Sequence, residues 1–366
     1  MLGIFCAPSR YVQGRDATTA LGEQLAHLQI SGPVLLLASQ RTADQLSKLW
    51  EQALSDFTYV THIFGGECTQ AEINAGVEAG RAAGATAVIG AGGGKALDTS
   101  RAVAAQLQVP AINCPTLASS DAPCSALSVV YNEDGSVDRY QFYPTNPVLV
   151  LVDTTLVAQA PRRYLVSGMG DALATWYEAR TVIEAHGVNQ VGGAPTLTAG
   201  ALAKLCRDTL FADGLDAARS VDACSVTPAL ERVVEANTLL SGLGFESGGL
   251  AIAHSVHNGL TVLPPTHAYL HGEKVAFGLL VQLVVEGRDS SEISEVINFC
   301  RSVGLPTRLS DLGLADLDKA SITAIAERTV QLGETAHHEP FEVTTTMIAD
   351  GIRAADEWAR AVAVRN

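Results

Sequence analysis

The sequence predicts an α/β amino-terminal domain over residues 1–160, built on a mostly parallel sheet, followed by an all-α carboxy-terminal domain over 161–366. Three observations carry this reading. Short apolar runs alternate with helical stretches as far as residue 160, which is the pattern of strands joined by crossover helices. After "QAPRR" the strand-like runs vanish, and helical periodicity broken by Gly, Pro and Asn takes over. Finally, 366 residues of 47% hydrophobic content can bury two cores more readily than one.

The elements follow in order. "PVLLLAS" (33–39) reads as a strand, "TADQLSKLWEQAL" as a helix and "TYVTHIF" as a strand. "TQAEINAGVEAGRAAG" is a helix, and "TAVIG", "PAINC" and "VLVLVD" are further strands. Between the last two lies "ALSVVYNEDGSVDRYQFY", in which Asp134-Gly135 separates two β-prone runs and signals a hairpin.

Composition excludes several classes of function. Lys and Arg number 24 against 39 Asp and Glu, and the net charge of −15 repels a polyanion, so nucleic acid is not expected as a partner. No apolar run reaches membrane-spanning length and the first residues lack a secretion signal, so no membrane partner and a cytoplasmic location are expected. The seven cysteines are scattered and never spaced as C-x-x-C, which fits reduced thiols.

Two stretches invite chemistry. In "AVIGAGGGKALDTSRAVA" (87–104) a strand breaks into glycines and restarts as a helix near Lys95. Gly92, Gly93 and Gly94 leave no Cβ to hold a ligand off the backbone, and a helix start offers free N–H groups to an anion such as a pyrophosphate. The spacing matches neither G-x-G-x-x-G nor the P-loop, so a plain tight turn is the competing reading. Downstream, "AIAHSVHNG" sets His254 and His257 at i and i+3 on one helix face, and His267 and His271 surround the next helix start. Several histidines near helix starts suggest a metal. "SGMGDALATWYEAR" places Asp171 at the N-terminal end of another helix, where capping is the ordinary use.

Five long pieces carry a resemblance: "GGGKALDTSRA", "PTLASSDAPCSALSVVY", "GMGDALATWYEAR", "VTPALERVVEANTLLSGLGFESGGLAIAHSVHNGLT" and "HGEKVAFG". In this order they resemble the glycerol dehydrogenases, a branch of the iron-containing alcohol dehydrogenase family, related in fold to dehydroquinate synthase. The resemblance implies an amino-terminal dinucleotide-binding domain, a helical metal-binding domain and a metal in the cleft between them. It implies Asp171, His254 and His271 as metal ligands, with His257 and His267 left as supporting or structural residues. It assigns Gly94 and Lys95 to the pyrophosphate, with Gly92, Gly93 and Asp98 in the same stretch on the cofactor side. Thr116, Ser119, Ser125, Leu127 and Tyr131 would line the nicotinamide half. Asp121 would take a substrate hydroxyl, and Phe245 would wall the same pocket. The implied reaction is oxidation of a small polyol, glycerol first, with hydride transfer to NAD, in a homo-oligomer such as an octamer.

Two departures matter. Iron-type members carry a further histidine one turn after the aspartate, where this chain has Thr175; three ligands with an open place favour Zn2+ over Fe2+. NAD-specific relatives place an aspartate near Ser39, and here Arg41 follows, so NADP is also open as cofactor. His257 is a possible proton exit by its helical proximity to His254. A related diol or 2-hydroxy acid dehydrogenase is the alternative within the class. A dehydroquinate-synthase-like lyase is the alternative outside it, but Lys274 and Arg180 alone do not make the cationic cluster that a phosphorylated sugar acid needs.

Overall fold

The computed structural model describes residues 1–133 and 135–362; Asp134, half of the hairpin signal, lies outside the described residues. The chain forms two compact units. One comprises Cys6–Pro161 and Ser220–Gly242, the other Met1–Phe5, Arg162–Arg219 and Leu243–Asn366. This differs from a single division at residue 160: the chain returns to the first unit for one helical segment, and its first residues belong with the helices, where Gly3 bridges to Ala194.

The first unit contains β1 (Tyr11–Gly14), α1 (Leu21–His27), β2 (Val34–Ala38), α2 (Gln40–Ala53), β3 (Tyr59–Ile63), α3 (Gln70–Ala83), β4 (Ala87–Gly92), α4 (Gly94–Leu107) and β5 (Ala111–Pro115). It continues through β6 (Leu127–Tyr131), β7 (Val137–Phe142), β8 (Leu149–Asp153) and α5 (Thr154–Gln159). Six strands form one sheet in the order β1-β8-β5-β4-β2-β3, every neighbouring pair parallel. β6 and β7 form a separate antiparallel hairpin, as the Asp134-Gly135 signal leads one to expect.

Alternation within the strands builds two cores. Val34, Leu36 and Ala38 pack on one face with Leu25, Trp50 and Ile89, and Leu35 and Leu37 pack on the other with Ile73, Val77 and Val103. Both faces are covered, so the inner strands read as continuous apolar runs. From β2 the chain moves outward to β3, whereas β4 lies on the opposite side of β2 and leads to β5. The reversal puts the loops after β2 and β4 at a topological switch point, where open α/β sheets bind ligands. The glycine stretch is the loop after β4.

The helical unit is built on α6 (Arg162–Glu184), α7 (Leu197–Asp222), α10 (Ile252–Leu260), α11 (His271–Val285), α12 (Ser290–Val303), α13 (Lys319–Thr329) and α14 (Thr345–Ala361). Between α7 and α10 come α8 (Pro228–Glu235), a π-helical turn over Ala236–Leu240, and α9 (Ser241–Gly248). α11 is buried on all sides from Gly272 to Leu283 and packs on α6, α10 and α14. Beyond its first turn it is apolar around its circumference except at Gln282, as suits a central helix.

Glycines let the backbones at these crossings touch. A Cβ on Gly272 would lie 1.8 Å from the Ser167 carbonyl oxygen of α6, and one on Gly278 would lie 2.3 Å from the Ala253 oxygen of α10. No rotamer relieves a clash with backbone. Gly272→Ala is therefore expected to destabilise the protein by about 1–3 kcal/mol, seen as a lower urea midpoint at unchanged slope. The same variant should bind divalent metal more weakly, because the next residue back is His271.

Candidate active site

Asp171, His254 and His271 meet. Their ligand atoms all lie within 4.8 Å of one another, and among the described residues they form the one group of three with this arrangement. Asp171 Oδ1 is 3.3 Å from His254 Nε2 and 3.0 Å from His271 Nε2. Side-chain exposure rises from 0% at Asp171 through 14% at His254 to 40% at His271, so the site opens to solvent on the His271 side.

Three helices supply these ligands. α10 presents His254 in its first turn and α11 begins at His271. Asp171 is not a cap: it is the tenth residue of α6, fully buried in mid-helix. The glycines that suggest a helix start instead thin α6 where it meets α11. A Cβ on Gly170 would lie 2.3 Å from the Gly272 oxygen, and one on Gly272 would lie 2.9 Å from Asp171 N. This contact places Asp171 beside His271.

Hydrogen bonds fix both imidazoles with Nε2 facing Asp171. His254 donates its Nδ1–H to Glu178 Oε2 at 2.6 Å, and the backbone N–H groups of Ala251 and His254 donate to Glu178 Oε1 at 2.9 and 3.1 Å. On the other side, the Asn258 amide donates to Glu334, which turns its Oδ1 to accept His257 Nδ1–H at 3.1 Å. His257 Nε2 then accepts His271 Nδ1–H at 3.1 Å, which turns His271 Nε2 toward Asp171. A carboxylate and two Nε2 lone pairs, each held from behind, fit a divalent cation.

Without a metal, protons on the imidazoles take its place, and the same contacts shift these groups. Burial would push the Asp171 carboxyl up, but His271 and His254 outweigh it and hold it well below the carboxylate range. Burial would press His254 down, but Glu178 and Asp171 raise it well above the ordinary imidazole value. His257 moves the opposite way: burial, then His271, Lys274 and His254, keep it neutral.

Sequence reasoning missed Glu178, Asn258 and Glu334. Glu178 carried a signal, since it stands seven residues after Asp171 and thus two helical turns along the same face. His257, suggested as a proton exit, lies against His271 and holds that ring in place. His267 is exposed and bonds the Thr261 carbonyl, outside the cluster. Thr175 is buried one turn after Asp171.

In the α/β unit, Gly92 has φ +155°, and a Cβ there would lie 2.9 Å from that of Ala96. Gly93 is the N-cap of α4 without any side-chain cap, and among the described residues nothing accepts the amide N–H of Gly94 or Lys95. Such an uncapped start at a switch point suits a diphosphate. Thr116 N–H bonds the Gly92 carbonyl at 3.0 Å, bringing the loop after β5 against the glycines. Ser125 is buried, while Ser119, Leu127 and Tyr131 are partly exposed. Asp98 departs from the expected cofactor contact: it is buried, pairs with Arg101 and accepts Val129 N–H at 3.1 Å, fastening the hairpin to α4. Ser39 caps α2 by accepting Thr42 N–H at 3.2 Å, with Arg41 exposed beside it.

Asp121 is buried and accepts Ser241 Oγ–H at 2.8 Å, while Asn237 donates to the Ala118 carbonyl at 2.9 Å. Both donors belong to the returning helical segment, Asn237 within its π turn and Ser241 just after it. Phe245 is buried in α9 of the helical unit.

The chain matches the iron-containing alcohol dehydrogenase family over residues 8–154. It is 49% identical over 361 residues to the glycerol dehydrogenase of Thermotoga maritima, covering 96% of each chain. It is 44% identical over 364 residues to the glycolaldehyde reductase of Halobacterium salinarum, covering 99% of each. The crystal structure of a probable glycerol dehydrogenase from Sinorhizobium meliloti superimposes with a TM-score of 0.93 at 42% identity, covering 98% of this chain and 99% of that one. The chain is an alcohol dehydrogenase and belongs to the glycerol dehydrogenase branch of the iron-containing alcohol dehydrogenase family. No described helix is long and apolar enough to cross a membrane.

Two predictions follow from the network. Glu178→Gln turns an amide donor toward groups that are themselves donors, so metal affinity should fall by about 10–100-fold in competition with a chelator while the fold persists. Behind Glu178, burial and then Glu286 and Glu178 push the Glu339 carboxyl from an ordinary 4.5 up to about 9. The unfolded chain loses that proton first, so stability drains as pH rises between these values. Glu339→Gln should leave stability unchanged near pH 4 and raise the melting temperature at pH 8.

Proposed function

We propose that the protein is a divalent-metal-dependent polyol dehydrogenase that oxidises glycerol to dihydroxyacetone with NAD as hydride acceptor. The observation that carries this reading is the pair of Nε2 atoms fixed toward a buried, ionised Asp171. When bound, a divalent ion lowers the pKa of an alcohol oxygen and the nicotinamide ring accepts the hydride. The chain's own work is placement. Asp171 stays anionic between the imidazoles, Glu178 holds the His254 tautomer, and the Asn258–His257 pair holds that of His271. Asp121, fixed by Ser241, is assigned to a substrate hydroxyl, and Phe245 to an apolar contact with the substrate.

The α/β unit is assigned the dinucleotide. Gly92, Gly93 and Gly94 admit the diphosphate against the free amides of α4, with Lys95 as cation, and Thr116, Ser119, Ser125, Leu127 and Tyr131 line the nicotinamide half. Three ligands and an open side favour zinc over Fe(II). Ser39 puts no negative charge where a 2′-phosphate would lie and Arg41 is exposed nearby, so NADP is accepted beside NAD. Localisation in the cytoplasm and assembly into a homo-oligomer belong to the same reading.

Reduced nicotinamide should accumulate on addition of glycerol, fastest with the zinc-loaded protein. His254→Ala and His271→Ala should lose both the bound metal and turnover; a fully active, metal-free His271→Ala protein would refute the assignment. Ser39→Asp should lower kcat/KM for NADP and spare that for NAD.

A further inference from the structure

Lys95 already has an anionic partner in the free protein. Its Nζ lies 2.5 Å from Glu67 Oε2 and 5.1 Å from the centre of the Tyr131 ring. We propose that Glu67 is a displaceable counter-ion for Lys95, which weakens and thereby sets the affinity of the glycine loop for the cofactor's diphosphate. The inference rests on the dinucleotide reading of that loop.

Glu67 is held in place by its own segment. Gly66, at φ +111°, turns the chain out of β3. Glu67 Oε1 then accepts the Cys68 backbone N–H at 3.2 Å. Tyr131 N–H donates to the Cys68 carbonyl at 2.8 Å and Thr69 bridges to Tyr131, so the backbone carrying Glu67 is tied to the end of β6. The carboxylate therefore sits beside the start of α4 by construction, not as a mobile surface group.

A dinucleotide brings two phosphodiester charges to that helix start. Bound there, they compete with Glu67 for Lys95 and meet its carboxylate at short range, so binding must break the ion pair or bear the repulsion. Both partners are partly open, with side-chain exposures of 50% for Lys95 and 32% for Glu67, so solvent screens the pair and the effect is moderate. Such a counter-ion keeps Lys95 extended and ready while it prevents very tight retention of the spent cofactor. Glu67 touches Lys95 and is not assigned to the cofactor itself.

The test is a double-mutant cycle of Glu67→Gln and Lys95→Met, read as Kd for NADH from nicotinamide fluorescence and as Kd for inorganic pyrophosphate by calorimetry on the cofactor-free protein. Glu67→Gln should tighten both by about two- to fivefold at low salt. The gain should shrink in high salt and be clearly smaller in the Lys95→Met background. Unchanged or weaker binding in Glu67→Gln, or an equal gain without Lys95, overturns the proposal. A wild-type protein that binds neither NADH nor NADPH overturns the loop's dinucleotide reading instead, so the two failures are distinct. Melting curves of the four proteins confirm that each is folded.

Discussion

A carboxylate with no exposure to water is costly unless charge or hydrogen bonds compensate it, and Asp171 is such a group. The helical unit is arranged around that requirement. Two imidazole edges face the carboxylate, each must present a particular nitrogen, and each is therefore gripped from behind by a further polar residue. Glu178 does this for His254, and His257 with Asn258 does it for His271. The ligands form a small inner ring, and the larger outer ring determines what the inner one can bind.

Backbone contact makes the ring possible. α6 and α11 approach closely only because Gly170 and Gly272 have no side chains at their crossing. The same residue that relieves the crossing follows directly after His271, so helix packing and ligand placement are one constraint. Gly278 repeats the device between α11 and α10, the helix of His254. The polar groups behind the ligands extend to Glu339, whose burial, with Glu286 and Glu178 nearby, costs this part of the unit stability as pH rises from 4.5 toward about 9.

The glycine loop works by a different balance. The chain as a whole is strongly acidic, yet the start of α4 offers uncapped amides and Lys95. Whole-molecule charge governs which polyanions approach, whereas a single small anion responds to the few groups within a Debye length. Glu67 belongs to that local set, and a count of charges along the sequence gives no hint that it stands beside Lys95.

The amino-acid sequence by itself determined the alternation of buried strands and crossover helices, the hairpin, the helical second half and the glycine loop, because each depends on periodicity or turn chemistry within a few residues. It also pointed to Asp171, His254 and His271, through long pieces shared with a family. The polar edge strand β1 escaped it, since "YVQG" has no apolar run and gains its place only by pairing with β8. So did the true role of the "SGMGD" glycines, which look like a helix start and serve as a helix crossing. Only the tertiary structure decided that Asp171 lies in mid-helix, that Glu178 and His257 set the imidazole tautomers, and that Asp98 turns inward to Arg101. Those facts depend on groups separated by tens of residues, and a burial cost or a hydrogen bond exists only once folding has brought both partners together.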